Sequence, residues 1–227
     1  MSNENLTESL DILSVAGLDV WPWHRKLDQA LFRGRDSSHE RMKAVELSRH
    51  HPDLLRVNIT RFFFFTDKEQ SHGPPSGNMP FGDFFQYKYQ LSLDGTVAAY
   101  RLPFLLAGNS LVLKQDSPYY EHFYRALKPG EHYLPVKRDL SDLIQQIKWA
   151  QEHEDEAIAM VQRARDLARQ QLTPAHILCY YFKAIQAYSG LFKKLDFSSL
   201  QNLELVPQPE NSDCPCHIDK LKSKLEL

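Results

Sequence analysis

The sequence predicts an α/β fold with a largely parallel sheet. Three observations carry that reading: apolar runs with the two-residue period of strands alternate with runs at helical spacing, capping residues, glycines or prolines punctuate the boundaries, and the pattern closes in successive helices.

Residues 1–20 form an amphipathic lead-in, where Leu6, Leu10, Ile12 and Leu13 mark a marginal helix that Trp21-Pro22-Trp23 breaks. Residues 30–32 read as a strand end running into Arg33-Gly34-Arg35-Asp36-Ser37-Ser38. Ser37 with Glu40 three residues later is a capping box, so a helix is predicted from there to about His50. Residues 57–65, rich in β-branched and aromatic side chains, read as a strand buried on both faces, with all four consecutive phenylalanines in the core. Residues 66–80, which include Gly73-Pro74-Pro75-Ser76-Gly77, read as an exposed loop. In residues 81–93, Tyr87, Tyr89, Leu91 and Leu93 alternate as in a strand.

The stretch 94–114, DGTVAAYRLPFLLAGNSLVLK, is the one around which the chain is organised. Thr96 is expected to cap a helix through Ala98, Ala99 and Leu102 to Leu106, kinked or shortened by Pro103 and stopped at Gly108-Asn109; Leu111-Val112-Leu113 then forms a short buried strand. Residues 119–127 carry Tyr120, Phe123, Tyr124 and Leu127 at helical spacing, with Glu121 opening the helix, and residues 132–136 make a strand. Leu140, Leu143, Ile144 and Ile147 mark a helix, residues 157–172 a second, and Thr173-Pro174 starts a third that ends near Ser189, before Gly190. Beyond about residue 200 the pattern stops. The expected organisation is a lead-in (1–20), one domain (21–200) and a flexible tail (201–227).

Composition narrows the function classes. With 227 residues, 42% of them hydrophobic, the chain can bury a core; with a net charge of −2 it presents no global field for a polyanion, so nucleic acid is disfavoured as a partner. No apolar run approaches a membrane span, and the N-terminus lacks the basic and apolar regions of a secretory signal. Of the three cysteines, Cys179 lies in the apolar string ILCYYFKAI and is expected to be a buried, inert thiol. Cys214-Pro-Cys216 is open to a metal clip, a redox pair or bonds elsewhere; with His217 it supplies at most three zinc ligands, which disfavours metal.

Two turns carry chemistry. A helix N-terminus offers unpaired N–H groups and partial positive charge, and Arg101 adds a permanent cation to the 94–101 turn. Arg33, Arg35 and Arg41 surround the turn at Gly34, where guanidinium donors match phosphate oxygens in pairs. A solvated basic turn balanced by Asp36 and Glu40, and a surface ion pair at Arg101, are the plainer alternatives. Glu121 is either a favourable charge at a helix start or a carboxylate accepting two ribose hydroxyl protons. No G-x-G-x-x-G follows a predicted strand, which argues against a dinucleotide enzyme.

The strings FRGRDSSHER (32–41), FFFF, YKYQLSLDGTVAAYRLPFLLAGNSLVLKQDS, YYEHFYRALKPGEHYLPVKRDLSDL and the closing CYYF resemble the C-terminal half of the endoplasmic-reticulum protein O-glucosyltransferases, the Rumi-type enzymes of the capsule-associated-protein-like glycosyltransferase family. The resemblance covers residues 21–227 and is nearest to members that end in KDEL-like signals. It implies a Rossmann-like half of a GT-B glycosyltransferase, with C-terminal helices, that binds UDP-glucose or UDP-xylose without a metal or other cofactor and passes the sugar, with inversion, to serine in EGF-like repeats such as those of Notch receptors. The family's donor-site arginine falls on Arg41, and a position often occupied by serine falls on Arg35. Its diphosphate loop falls on Thr96, Val97, Ala98, Ala99, Tyr100 and Arg101.

Two departures follow from the same comparison. Phe85 stands where shorter relatives carry a cysteine that pairs with the one in the CYY-like helix, so Cys179 is expected to be free. The family's catalytic aspartate lies in an N-terminal half that precedes these residues; no general base is assigned, and a fragment or truncated isoform is expected. An inactive luminal binding or regulatory protein of the same fold is the alternative function. Lys224-Leu225-Glu226-Leu227 differs at one place from the retrieval signal Lys-Asp-Glu-Leu, which implies the endoplasmic-reticulum lumen and a retrieval receptor as partner. Asn5-Leu6-Thr7 and Asn58-Ile59-Thr60 are glycosylation sequons; Asn58 lies by a predicted strand, so Asn5 is the better acceptor.

Overall fold

Five parallel strands form one sheet: β1 (Leu27–Gly34), β2 (Leu55–Ile59), β3 (Tyr87–Ser92), β4 (Leu111–Gln115) and β5 (Leu134–Val136), in the order β2-β1-β3-β4-β5. The computed structural model describes Val15 and residues 21–192. The rest of the lead-in, Asn5, Cys214-Pro-Cys216 and the terminal tetrapeptide lie outside these residues. Helices α1 (His39–His50), α2 (Glu69–His72), α3 (Phe81–Phe84), α4 (Leu102–Ala107), α5 (Leu143–Glu152), α6 (Glu154–Gln171) and α7 (Pro174–Ser189) complete the described elements, with short 3₁₀ turns at Trp23–Arg25, Thr66–Lys68 and His122–Arg125. The α/β class with a parallel sheet is therefore as the sequence predicts.

Both faces of the sheet carry buried apolar clusters. Ala30 and Phe32 of β1 pack with Met42, Ala44 and Val45 of α1 and with Leu143, Ile147 and Ala150 of α5. Leu31 points the other way, as the period of two requires, and joins Val112 of β4, Leu102, Leu105 and Leu106 of α4, and Leu167 of α6. The chain passes from β1 to β2 on one side and then to β3 on the other side of β1. The C-terminal ends of β1 and β3 therefore flank a topological switch point, where open α/β sheets leave a crevice.

Several local expectations are corrected. The strand predicted at 57–65 ends at Ile59, and of its phenylalanines only Phe62 is buried; Phe63 and Phe64 are 61% and 53% exposed. The cause is Asp36, fully buried, whose carboxylate accepts hydrogen bonds from the backbone N–H groups of Phe63, Phe64 and Phe65 at 2.6–2.9 Å and so bends the chain away from the sheet. Within 66–80 the chain forms a 3₁₀ turn and α2 rather than loop throughout, and residues 81–84 are helical before β3 begins. Ser38, not Ser37, caps α1, its Oγ accepting from the Arg41 N–H at 3.4 Å; position N3 is then Arg41, and the Ser37–Glu40 capping box does not form. Residues 96–101 are bends and turns, and α4 starts only at Leu102, with Pro103 in its first turn, where a missing N–H costs nothing. Residues 119–127 hold a 3₁₀ turn at His122–Arg125 rather than an α-helix, and β5 is confined to Leu134–Val136. β5 thus edges the sheet with three residues, Pro135 at their centre.

Gly108, the residue at which α4 stops, is required to be glycine for a steric reason. Its backbone is extended (φ −80°, ψ −179°), but a Cβ there would lie 1.9 Å from Cε1 of Phe85, which is fully buried. Gly108→Ala is expected to lower stability by about 2–3 kcal/mol, the scale of overpacking. Urea unfolding checks this, and a Phe85→Ala change added to it should recover part of the cost of the first substitution.

The chain divides into two compact units, Met1–Lys183 and Ala184–Leu227. In the second, the described residues are the end of α7 and a turn to residue 192. In the first, Cys179 is free and exposed, against the expectation of a buried thiol, and neighbouring Leu178 and Phe182 are each 68% exposed. Helical spacing of apolar residues identifies α7 but cannot say whether its face is covered. Among the described residues no helix is long and apolar enough to cross a membrane, and no His/Cys/Asp/Glu group could hold a metal ion.

Candidate functional site

A cavity of about 510 Å³ opens at the switch point. Gly34 ends β1 on its floor, Arg35 and Ser37 come from the β1–α1 connection, Arg41 from the first turn of α1, Thr60 from the end of β2, and residues 95–101 form the opposite wall. Of the predicted residues, Arg35, Arg41, Thr96, Val97, Ala98, Ala99, Tyr100 and Arg101 all line it. Glu121 does not, and neither does Arg33, whose Nη1 donates to the Gly77 carbonyl.

Arg41 and Arg101 are held, not splayed into solvent, whereas Arg35 is exposed. Arg41 is 7% exposed; its Nη1 donates to the Arg35 carbonyl (2.9 Å) and Ser37 Oγ (3.2 Å), and its Nη2 to the Leu93 carbonyl (3.0 Å). Arg101 reaches back across the crevice, Nη1 donating to the Arg33 carbonyl. Burial, then the charges of Arg101 and Arg35, bring the Arg41 pKa down to about 10 against the pull of Asp94 and Asp36; burial also lowers that of Arg101. Both remain cations at neutral pH. Like charges crowded in a partly dehydrated crevice repel, and an anion placed between them is attracted by both.

Glycine makes this closeness possible at two points. A Cβ on Gly34 would lie 3.2 Å from Arg101 Nη2, and one on Gly95 3.2 Å from Arg41 Nη2. Gly34 was legible as a turn between arginines. Ser37 and Thr60 as lining residues were not, and the available signal was their place just beyond strand ends.

Glu121 stands before the 122–125 turn, and this segment is tied to the opposite wall by Tyr119, whose hydroxyl donates to the Thr96 carbonyl at 2.8 Å. Burial raises the Glu121 pKa against a hydrogen bond to its carboxylate from the Tyr124 hydroxyl, while its Oε1 is buried with no hydrogen-bond partner of its own among the described residues. Nearby, Lys114 Nζ lies 4.8 Å from the ring centroid of Tyr124 and 5.7 Å from that of Tyr133. A second, mostly apolar cavity of about 430 Å³ adjoins the first, sharing Gly34, Thr60, Tyr100 and Arg101 and walled by Met79, Phe81, Phe84 and Phe104.

Comparison with known proteins converges on one family. The model of glycosyl transferase family 90 matches residues 8–221. Human protein O-glucosyltransferase 3 is 49% identical over 212 residues, covering 92% of this chain and 41% of that protein. Zebrafish (Danio rerio) protein O-glucosyltransferase 2 is 44% identical over 219 residues, covering 96% of this chain and 44% of that protein. The chain thus spans less than half the length of the curated relatives it matches. Among solved structures, TarM superposes with a TM-score of 0.51 at 12% identity over 72% of this chain and 36% of that one, a likeness of fold alone.

Proposed function

From the premise that this chain belongs to glycosyl transferase family 90, we propose that residues 21–200 are the donor-binding domain, the C-terminal half of a GT-B fold, of a protein O-glucosyltransferase, and that the arginine-lined cavity takes the diphosphate of UDP-glucose or UDP-xylose. The single observation that carries this reading is the convergence of Arg35, Arg41 and Arg101 with the 95–101 wall on one crevice at the switch point. In such a transfer a serine hydroxyl of an EGF-like repeat, as in Notch receptors, gives up its proton to a general base and attacks the anomeric carbon while the bond from that carbon to the diphosphate oxygen breaks. The departing UDP takes the electron pair and its charge grows on the diphosphate. Fixed guanidinium donors stabilise that charge and need no reorganisation as it develops. Glu121 is the ribose-binding carboxylate in this reading; it stands outside the cavity lining, in a segment that Tyr119 ties to the 95–101 wall. No general base is assigned to these residues.

Calorimetry on the full chain tests the donor reading. UDP should bind saturably and at least about tenfold more tightly than uridine, since each charge-assisted hydrogen bond contributes on the order of 1.5–3 kcal/mol. A folded sample that fails to bind UDP, or binds uridine equally well, would overturn it.

The relatives act on proteins by name, and we place this chain in the endoplasmic-reticulum lumen, held by a retrieval receptor that reads Lys224-Leu225-Glu226-Leu227. Behind a functional signal peptide, deleting those four residues should raise secretion severalfold. Unchanged retention would remove the tetrapeptide from the account.

A further inference from the structure

The arginine pair has a support that the cavity wall does not reveal. Phe32 of β1 is 1% exposed and does not line the cavity, yet both guanidinium groups lie against its ring: Arg41 Cζ is 5.1 Å from the ring centroid and Arg101 Cζ 5.4 Å. Both distances fall within the range in which the negative face of a phenyl ring attracts a cation, and partial burial strengthens the attraction. The Arg41 Nε–H is buried with no hydrogen-bond partner among the described residues, so contact with the ring is not offset by a hydrogen bond at that atom. Gly34, two residues along the strand, completes the seat. A Cβ there would lie 2.9 Å from Phe32 Cζ and 3.2 Å from Arg101 Nη2, so ring and guanidinium rest on the same bare backbone.

A leucine would keep the site apolar but leave part of the ring's space empty. It would offer no negative face to two cations whose repulsion and burial both act against holding them together. We infer that Phe32 is a positioning residue: through its ring it keeps Arg41 and Arg101 at the spacing that grips a diphosphate. The inference rests on the donor-site reading for its ligand, and on the geometry alone for the positions of the two arginines.

The test uses the full chain with phenylalanine, 4-fluoro-, 3,5-difluoro- or 3,4,5-trifluorophenylalanine at position 32, and with Phe32→Leu. Fluorine drains the ring face while barely changing its volume. The logarithm of the UDP affinity should fall steadily with fluorine number, by about five- to tenfold in all, while uridine affinity stays constant. Phe32→Leu should lower UDP affinity as far as trifluorination. A purely structural role would instead lower the unfolding midpoint and leave the ratio of UDP to uridine affinity untouched, as would a flat fluorine series in a protein that binds UDP; either result overturns the inference. If the unsubstituted protein binds no UDP, the donor-site reading fails separately. The ligand-free NMR spectrum then decides for Phe32: ring-shifted Arg41 and Arg101 Nε–H resonances that return to ordinary positions in Phe32→Leu support it, and resonances that never were shifted reject it.

Discussion

Replacing Asp36 with alanine is expected to lower the unfolding free energy by about 3–5 kcal/mol, more than any other single polar substitution in the described residues. The carboxylate is wholly buried and accepts from three consecutive backbone N–H groups, those of Phe63, Phe64 and Phe65. Alanine would leave three partly buried donors without their shared acceptor, and each orphaned group costs about 1–3 kcal/mol where water does not replace the carboxylate. Asparagine should recover only part of the loss, because its NH₂ group would face N–H donors. Urea unfolding at neutral pH measures the effect; a loss below about 1 kcal/mol would mean that the 63–65 segment finds other acceptors easily. The same substitution should blunt ligand binding, because the residues on either side of Asp36 in the chain, Arg35 and Ser37, both line the cavity.

The second large effect is expected at the arginines. Arg101→Ala and Arg41→Ala should each weaken UDP binding by about 1.5–3 kcal/mol, or roughly 10- to 150-fold. Lysine should rescue neither well, since an ammonium cannot present the paired planar donors and, at Arg41, cannot also reach the carbonyls of Arg35 and Leu93. The two variants differ in one respect. Arg41 ties three segments together, so its removal should also lower the unfolding midpoint, whereas Arg101 has one backbone acceptor and its loss should fall mainly on affinity. Titration of UDP, UMP and uridine against each variant separates loss of the diphosphate contact from general damage. Equal weakening for all three ligands would assign the arginines to architecture.

How far these features were legible in the sequence depends on the range of the interaction. Alternating patterns located the sheet, and charge with glycine located the two turns, because both are local signals. The phenylalanine string failed as a guide since its fate is decided by Asp36, about 27 residues away, and no window of sequence shows which backbone a buried carboxylate will bind. Cys179 failed for the converse reason: spacing gave the helix, and coverage is a tertiary property. Lys26 gave no signal at all, yet it is 6% exposed and donates to Asn109 Oδ1 at 2.8 Å and Ser110 Oγ at 3.2 Å, fastening the start of β1 to the turn before β4. The arginine cavity was legible in its parts. That the parts meet follows from strand order, which places the ends of β1 and β3 side by side.

β5 shapes how the molecule meets its own copies. A parallel sheet with apolar strands ends in a row of backbone groups that can template another chain, and an aggregation-prone border of that kind must be guarded. Here the border is only three residues long and its central one, Pro135, has no N–H to offer an incoming strand. Edge-to-edge growth of the sheet is therefore disfavoured on that side by covalent structure, since no change of salt or pH can restore the missing N–H.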